Sequence, residues 1–243
     1  FDPDWLALIE DARELRFMNW IATNNSDVVS WGQRPTPDGA PNTGVSVEDM
    51  VKLANEVGAD PWFTIPHQAD EEYIRNFATY VRDNLDPNLT ATVEYSNEVW
   101  NFGFKQTHWL MDQAAKEWGA GGPAYVHYHA MKAVETALIW KEVFGDEAET
   151  RLSNVIGTMA ASTAVTKNLM NPLLWQENEP ENYVDPSTVF DAIATTTYFG
   201  GSVIGDPDTR QELLEAIMDP AVDATAFVYE KMLDPEYAWS VPY

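Results

Sequence analysis

The residues best suited to chemistry lie in one short run, Glu94-Tyr95-Ser96-Asn97-Glu98-Val99-Trp100-Asn101, which begins at the end of a strand-like stretch, Leu89 to Tyr95, and continues past it. Groups just past the end of a buried strand face a loop, so a carboxyl there can meet a ligand and exchange protons. Other polar groups follow other apolar stretches: Arg16 and Asn19 to Asn24, then His67 and Asp70, and last Tyr198. Each also has a plainer reading. Glu98 could be a solvated loop carboxylate or the first residue of a helix, and Arg16 could neutralise an interior carboxylate such as Glu94. His67 could bond loop backbone, and Tyr198 could simply pack.

Two further patterns carry little. His127 and His129, two apart in a helical stretch, face different directions and make a poor metal pair, so neither a metal nor another cofactor is expected. Asn178-Glu179-Pro180 lies in the polar run 176–182, with no strand before it to place it. The absence of cysteine removes thiolate nucleophiles, disulfides and Cys-based zinc sites.

The elements that must position these groups alternate between helix and strand. Residues 4–13 have helical spacing, and Leu15 to Ile21 reads as a short buried strand. Ser46 caps a helix that runs through Val57 and stops at Gly58. Pro61 to Ile65 is a strand, Tyr73 to Val81 marks one face of a helix, and Leu89 to Tyr95 is a third strand. Helices over about 107–118 and 123–144 follow, broken at Gly119 to Gly122 and stopped at Gly145. Strands at Leu152 to Thr158 and Ala192 to Tyr198 come next, then helices at 209–218 and 222–232. Alternation without hairpin turns predicts parallel pairing, in one α/β domain spanning 1–243. Scattered in sequence, the polar strand exits would then converge in space.

Composition narrows the partners. With 39 acidic and 14 basic side chains the formal charge is −25, which repels phosphate backbones and anionic lipid, so nucleic acid and membrane surfaces are poor partners. No stretch is apolar enough to span a bilayer, and the chain opens on Phe1-Asp2-Pro3 rather than on a signal sequence. Strong acidity without cysteine suits an extracellular or periplasmic protein. Oligomeric state is not legible.

The Glu-x-x-Asn-Glu run at a strand end, Glu94 to Glu98, resembles the acid/base signature at the fourth strand of clan A glycoside hydrolases, which are (β/α)8 TIM barrels. Leu15-Arg16-Phe17 resembles the second, Arg-bearing strand of that clan, Trp62 to His67 the third, and Ala194 to Tyr198 with Phe199 the sixth. The likeness covers about residues 5–200 and is strongest over 60–101, where it extends to bacterial proteins sharing Asn-Glu-Val-Trp-Asn. Val99 stands where many clan members carry Pro. The resemblance implies a retaining glycosidase with Glu98 as acid/base, Asn97 on the sugar 2-hydroxyl, and Arg16, His67 and Tyr198 around the substrate. The implied reaction places a second carboxylate ~5 Å from the acid, and Glu98 must stay protonated near neutrality, which a neighbouring charge such as Glu94 or partial burial would favour. Flat indoles complement pyranose faces, and Trp20, Trp31 and Trp100 lie beside the strand exits, Trp100 closest to the acid.

A closed barrel has eight strands and five are legible, so the chain is expected to cover about strands two to six, truncated at both ends, with the nucleophile outside it. Tyr229-Glu230 resembles a strand-borne Tyr-Glu, but 221–233 reads better as an amphipathic helix, which disfavours Glu230 as that nucleophile. The substrate class implied is a neutral β-linked polysaccharide. Two other classes stay open: a non-catalytic carbohydrate-binding barrel, and a structural or assembly module.

Overall fold

Five strands pair side by side in chain order: β1 (Glu14–Arg16), β2 (Asp60–Ile65), β3 (Ala91–Tyr95), β4 (Leu152–Thr158) and β5 (Ala192–Thr195). They form a parallel sheet that curls as half of a barrel would, with helices flanking it. In this computed structural model the described residues are 1–39, 44–119, 121–160, 162–195, 207–219, 221–223, 225–227 and Glu230. Two compact units divide the chain: Phe1–Thr158 with Ala164–Ala194, and Met159–Thr163 with Thr195–Tyr243.

Local sequence explains most of the boundaries. Helix α1 (Pro3–Ile9) is capped by Asp2, whose carboxylate accepts from the backbone N–H groups of Asp4 and Trp5. Ser46 caps α2 (Val47–Val57) by accepting from Asp49 N–H, and Gly58 ends it with φ at 73°, a left-handed conformation that costs glycine nothing. Asp70 caps α3 (Glu71–Asn84) through Tyr73 N–H at 2.8 Å. Beyond these lie α4 (Lys105–Trp118), α5 (Ala124–Phe144), α6 (Ala148–Arg151), α7 (Thr163–Met170), α8 (Leu173–Asn178) and, in the second unit, α9 (Pro207–Met218). Glu230 is helical, as its surroundings in sequence predict. No helix among the described residues is long and apolar enough to cross a membrane.

Two expected boundaries move. The strand expected over Leu15 to Ile21 ends at Arg16, and the chain then turns helically, with Ile21 N–H on Phe17 O at 3.0 Å. Phe17 and Ile21, each 3% exposed, therefore reach the core as an i, i+4 pair and not by strand alternation. The first helix stops at Ile9, short of the expected residue 13.

The two faces of the sheet differ in kind. Phe63, Ile65, Ala91, Val93 and Leu152 lie under the helices, in a core shared with Met50, Ile74, Phe77 and Trp140. Phe63 stacks near Phe17 and Trp140 at centroid distances of 5.8 and 6.3 Å and meets Phe77 edge-on at 5.3 Å. Strand alternation and the register place Glu14, Arg16, Trp62, Thr92 and Glu94 on the opposite face. That face is polar and charged. An interior carboxylate is costly unless paired, so the pairing of Glu94 is the structural problem the site has to solve.

Candidate active site

The solution is Arg16. Its Nη2 donates to Glu94 Oε2 at 2.9 Å and to Asn97 Oδ1 at 3.1 Å, and Trp62 Nε1 donates to the same Glu94 oxygen at 3.0 Å. The guanidinium also lies 5.0 Å over the Trp62 ring, so indole and carboxylate hold it from two sides. Glu94 is 4% exposed and Arg16 37% exposed, which makes this a pair with one buried and one wetted end. Burial pushes the Glu94 carboxyl above the usual range. The charge of Glu98 adds to that push, while Arg16 and Trp62 oppose it.

Gly157 of β4 makes room for this carboxylate. A Cβ at Gly157 would sit 2.5 Å from Glu94 Oε1 and 3.7 Å from the Trp100 ring. The carboxylate is the far end of a side chain, but the pair with Arg16 holds it in place. Gly157→Ala is therefore expected to lower stability by about 1–3 kcal/mol, read from thermal or denaturant unfolding. In a Glu94→Ala background the same substitution should cost almost nothing. Equal cost in both backgrounds would show that the glycine serves something other than Glu94.

Past β3 the chain enters a strained turn. Ser96 N–H bonds Ile65 O at 2.8 Å, continuing the ladder, while Ser96 and Glu98 take φ values of 60° and 41°. Left-handed backbone costs a side-chain-bearing residue on the order of 1–2 kcal/mol, and here two such residues flank Asn97. Asn101 N–H closes the turn on Glu98 O at 2.8 Å. Glu98 is half-buried, and its Oε2 accepts from Asn101 Nδ2 at 3.0 Å.

Gln106, in the first turn of α4, stitches this turn to the loop after β1. Its Nε2 donates to Asn24 Oδ1 at 2.7 Å and to Asn97 O at 2.8 Å, and its Oε1 accepts Asn25 N–H at 3.0 Å. Asn97 Nδ2 donates to the same Asn24 oxygen at 3.1 Å, and Asn25 Oδ1 accepts Lys105 N–H at 2.8 Å. The carboxamide of Asn97, 6% exposed, is thus engaged within the protein through both its oxygen and its nitrogen. Its visible work is to lock two strand-exit loops together.

The residues singled out from sequence divide accordingly. Arg16, Asn97 and Glu98 come together at the carboxyl end of the sheet, and Trp100 lies half-buried beside Glu94 and Gly157. His67 follows β2 as expected, but its ring is 0% exposed and meets the edge of Trp109 at 5.4 Å, so it presents no surface for sugar binding. Burial lowers its pKa to about 4. Its backbone carbonyl accepts from Tyr95 OH at 2.7 Å, which ties the β2 and β3 exits together. Tyr198 lies outside the described residues. Trp20 stacks on Trp5 at 6.1 Å and Trp31 meets Tyr73 at 5.7 Å and the Arg34 guanidinium at 4.0 Å, so both are committed to packing.

Four members of the site were not singled out: Trp62 and Gly157 facing Glu94, Asn101 beside Glu98, and Gln106. Only Gly157 carried a readable signal, since a glycine inside a strand marks close approach by another group. No family model, curated protein or solved structure matches the chain.

Proposed function

We propose that this chain carries the acid/base centre of a retaining glycoside hydrolase with a (β/α)8 barrel, its five strands corresponding to about strands two to six, acting on a neutral β-linked polysaccharide. The observation that supports it best is the setting of Glu98. It is a half-buried carboxyl in a strained turn at the carboxyl end of a parallel sheet, held by Asn101 and next to the charged Arg16–Glu94 pair. Strain of this kind persists where the surroundings over-determine it, and it clusters at working sites.

In the reaction, a nucleophilic carboxylate gives an electron pair to the anomeric carbon as the glycosidic C–O bond breaks. Glu98 hands its proton to the departing oxygen; in the second step water bonds to the anomeric carbon as the bond to the nucleophilic carboxylate breaks, and Glu98 takes the water's proton. Glu94 is not the nucleophile: buried and bound by Arg16 and Trp62, it is the counter-charge that holds Arg16 in place. Trp100, half-buried and two residues past Glu98, is the indole that would stack on a sugar ring beside the acid.

The test is product release by the full-length protein from a panel of β-glucans and β-mannans, with the anomeric proton of the first product followed by NMR. Retained configuration is the expected result. Inverted configuration would overturn the double-displacement reading, and sugar binding without any release would favour the non-catalytic carbohydrate-binding alternative.

A further inference from the structure

Every aromatic ring among the described residues is buried or half-buried except two, Phe1 at the start of the chain and Phe102, which is 57% exposed. Phe102 stands in the loop that carries Glu98, four residues further on. Four residues span about 14 Å at full extension, and here the reach is shorter, because Asn101 N–H folds back onto Glu98 O at 2.8 Å. The ring is therefore within a few sugar units of the carboxyl.

The exposed ring is also held. His108 Nε2 donates to Phe102 O at 2.9 Å, and Asn101 O accepts from Thr107 Oγ1 at 2.8 Å and from Phe104 N–H at 3.0 Å, so the start of α4 fixes the backbone on which Phe102 stands. The rings of His108 and Tyr125 flank Phe102 at centroid distances of 6.4 and 5.8 Å, inclined by 72° and 67°. Such edge-to-face contacts steady the ring and still leave more than half of it open. A side chain already held in one orientation loses little freedom when a ligand covers it. Its sequence neighbours Asn101, Gly103 and Lys105 are polar or small, so the open apolar area is that of one ring. This suits the flat C–H face of a single sugar unit and falls far short of what a protein partner buries.

We propose that Phe102 is a stacking platform for a sugar unit of the polysaccharide, separate from the unit whose bond is cleaved, so that chains long enough to reach it bind more tightly. The inference rests on the glycosidase reading for its ligand, and it adds a preference for chain length that the acid/base centre alone does not supply. An uncharged ring also fits a neutral sugar on a chain of net charge −25, which repels anionic saccharides.

The experiment is calorimetric binding to the full-length protein in a Glu98→Gln background, which leaves bound sugars uncleaved, with disaccharides and hexasaccharides of β-glucan and β-mannan as probes. Phe102→Ala should weaken hexasaccharide binding about tenfold and disaccharide binding little, because a disaccharide held at the cleavage site does not reach the ring. Phe102→Trp, which keeps a flat ring, should bind hexasaccharide as the parent does, whereas Phe102→Leu, apolar but not flat, should lose about as much as Phe102→Ala. Equal losses on both probe lengths, or parent-like hexasaccharide binding by Phe102→Leu, would overturn the platform and leave Phe102 a packing residue of the turn. The two readings fail separately. Hexasaccharide binding that needs Phe102, in a protein that with Glu98 intact cleaves neither polymer, sustains the platform and ends the glycosidase reading. Hexasaccharide cleavage that is unchanged by Phe102→Ala does the reverse, and binding of no oligosaccharide ends the platform outright.

Discussion

On the proposed glycosidase reading, Glu98→Gln is expected to lower turnover on polysaccharide by about 10²–10⁴-fold, the usual contribution of a positioned general acid. Gln has nearly the shape of Glu, and its carbonyl can still accept from Asn101 Nδ2, now 3.0 Å from Glu98 Oε2. What it lacks is the proton. Polysaccharide leaving groups are poor and need that proton in the transition state, whereas an activated aryl leaving group departs with little help. Steady-state kinetics on both substrate types should therefore show a large loss of kcat/KM on the first and a much smaller one on the second. Folding should be almost unaffected, because Gln keeps the shape of Glu and the acceptor for Asn101 Nδ2. An equal loss on both substrates would argue against proton donation by Glu98.

Acidification should unfold the protein through two buried histidines. Burial lowers the pKa of His67 to about 4 and that of His129 to about 3. Both values lie below the ordinary 6.5, so between 6.5 and the folded pKa the unfolded chain binds more protons and stability rises with pH. The stabilisation is complete above about 6.5 and is lost as pH falls towards 4 for His67 and 3 for His129. At pH 5 each histidine should already have cost about 2 kcal/mol, or about 4 kcal/mol together, against a typical total of about 5–15. Glu94 acts with the opposite sign. Its raised pKa means that the folded state holds an extra proton just above the usual carboxylate range, which partly offsets the loss. Chemical denaturation between pH 5 and 7 measures the slope, and His129→Leu should remove about half of the histidine part. A slope unchanged in that variant would mean that His129 is not buried neutral.

Much of the fold was legible because its causes are local. The capping residues Ser46 and Asp70 and the left-handed stop at Gly58 each set an element boundary within a few residues of themselves, and the strands Ala91–Tyr95 and Leu152–Thr158 fall where β-branched and apolar residues concentrate. Alternation of helix and strand was enough to give parallel order. The strand expected through Ile21 failed because its pattern is ambiguous locally: Phe17 and Ile21 satisfy both a strand-like and a helical spacing, and in the fold they form a helical turn with Phe17 packed on the sequence-distant Phe63.

The site divides along the same line. The sequence by itself determined that Asn97 and Glu98 follow a buried strand, that Arg16 stands in another strand, and that Arg16 could serve as counter-charge to Glu94, because residue type and placement in or after a strand depend on neighbours a few residues away. Tertiary structure decided everything that depends on the other strands: that the sheet register brings Arg16 across 78 positions to Glu94, that Gly157 leaves space for the carboxylate, and that Gln106 closes the loops. It also decided that His67 turns into the interior beside Trp109, where desolvation keeps its ring neutral. The physical reason is one of range: caps and turns are settled by hydrogen bonds within a few residues, whereas burial and charge pairing are settled by whichever distant side chain the register sets alongside.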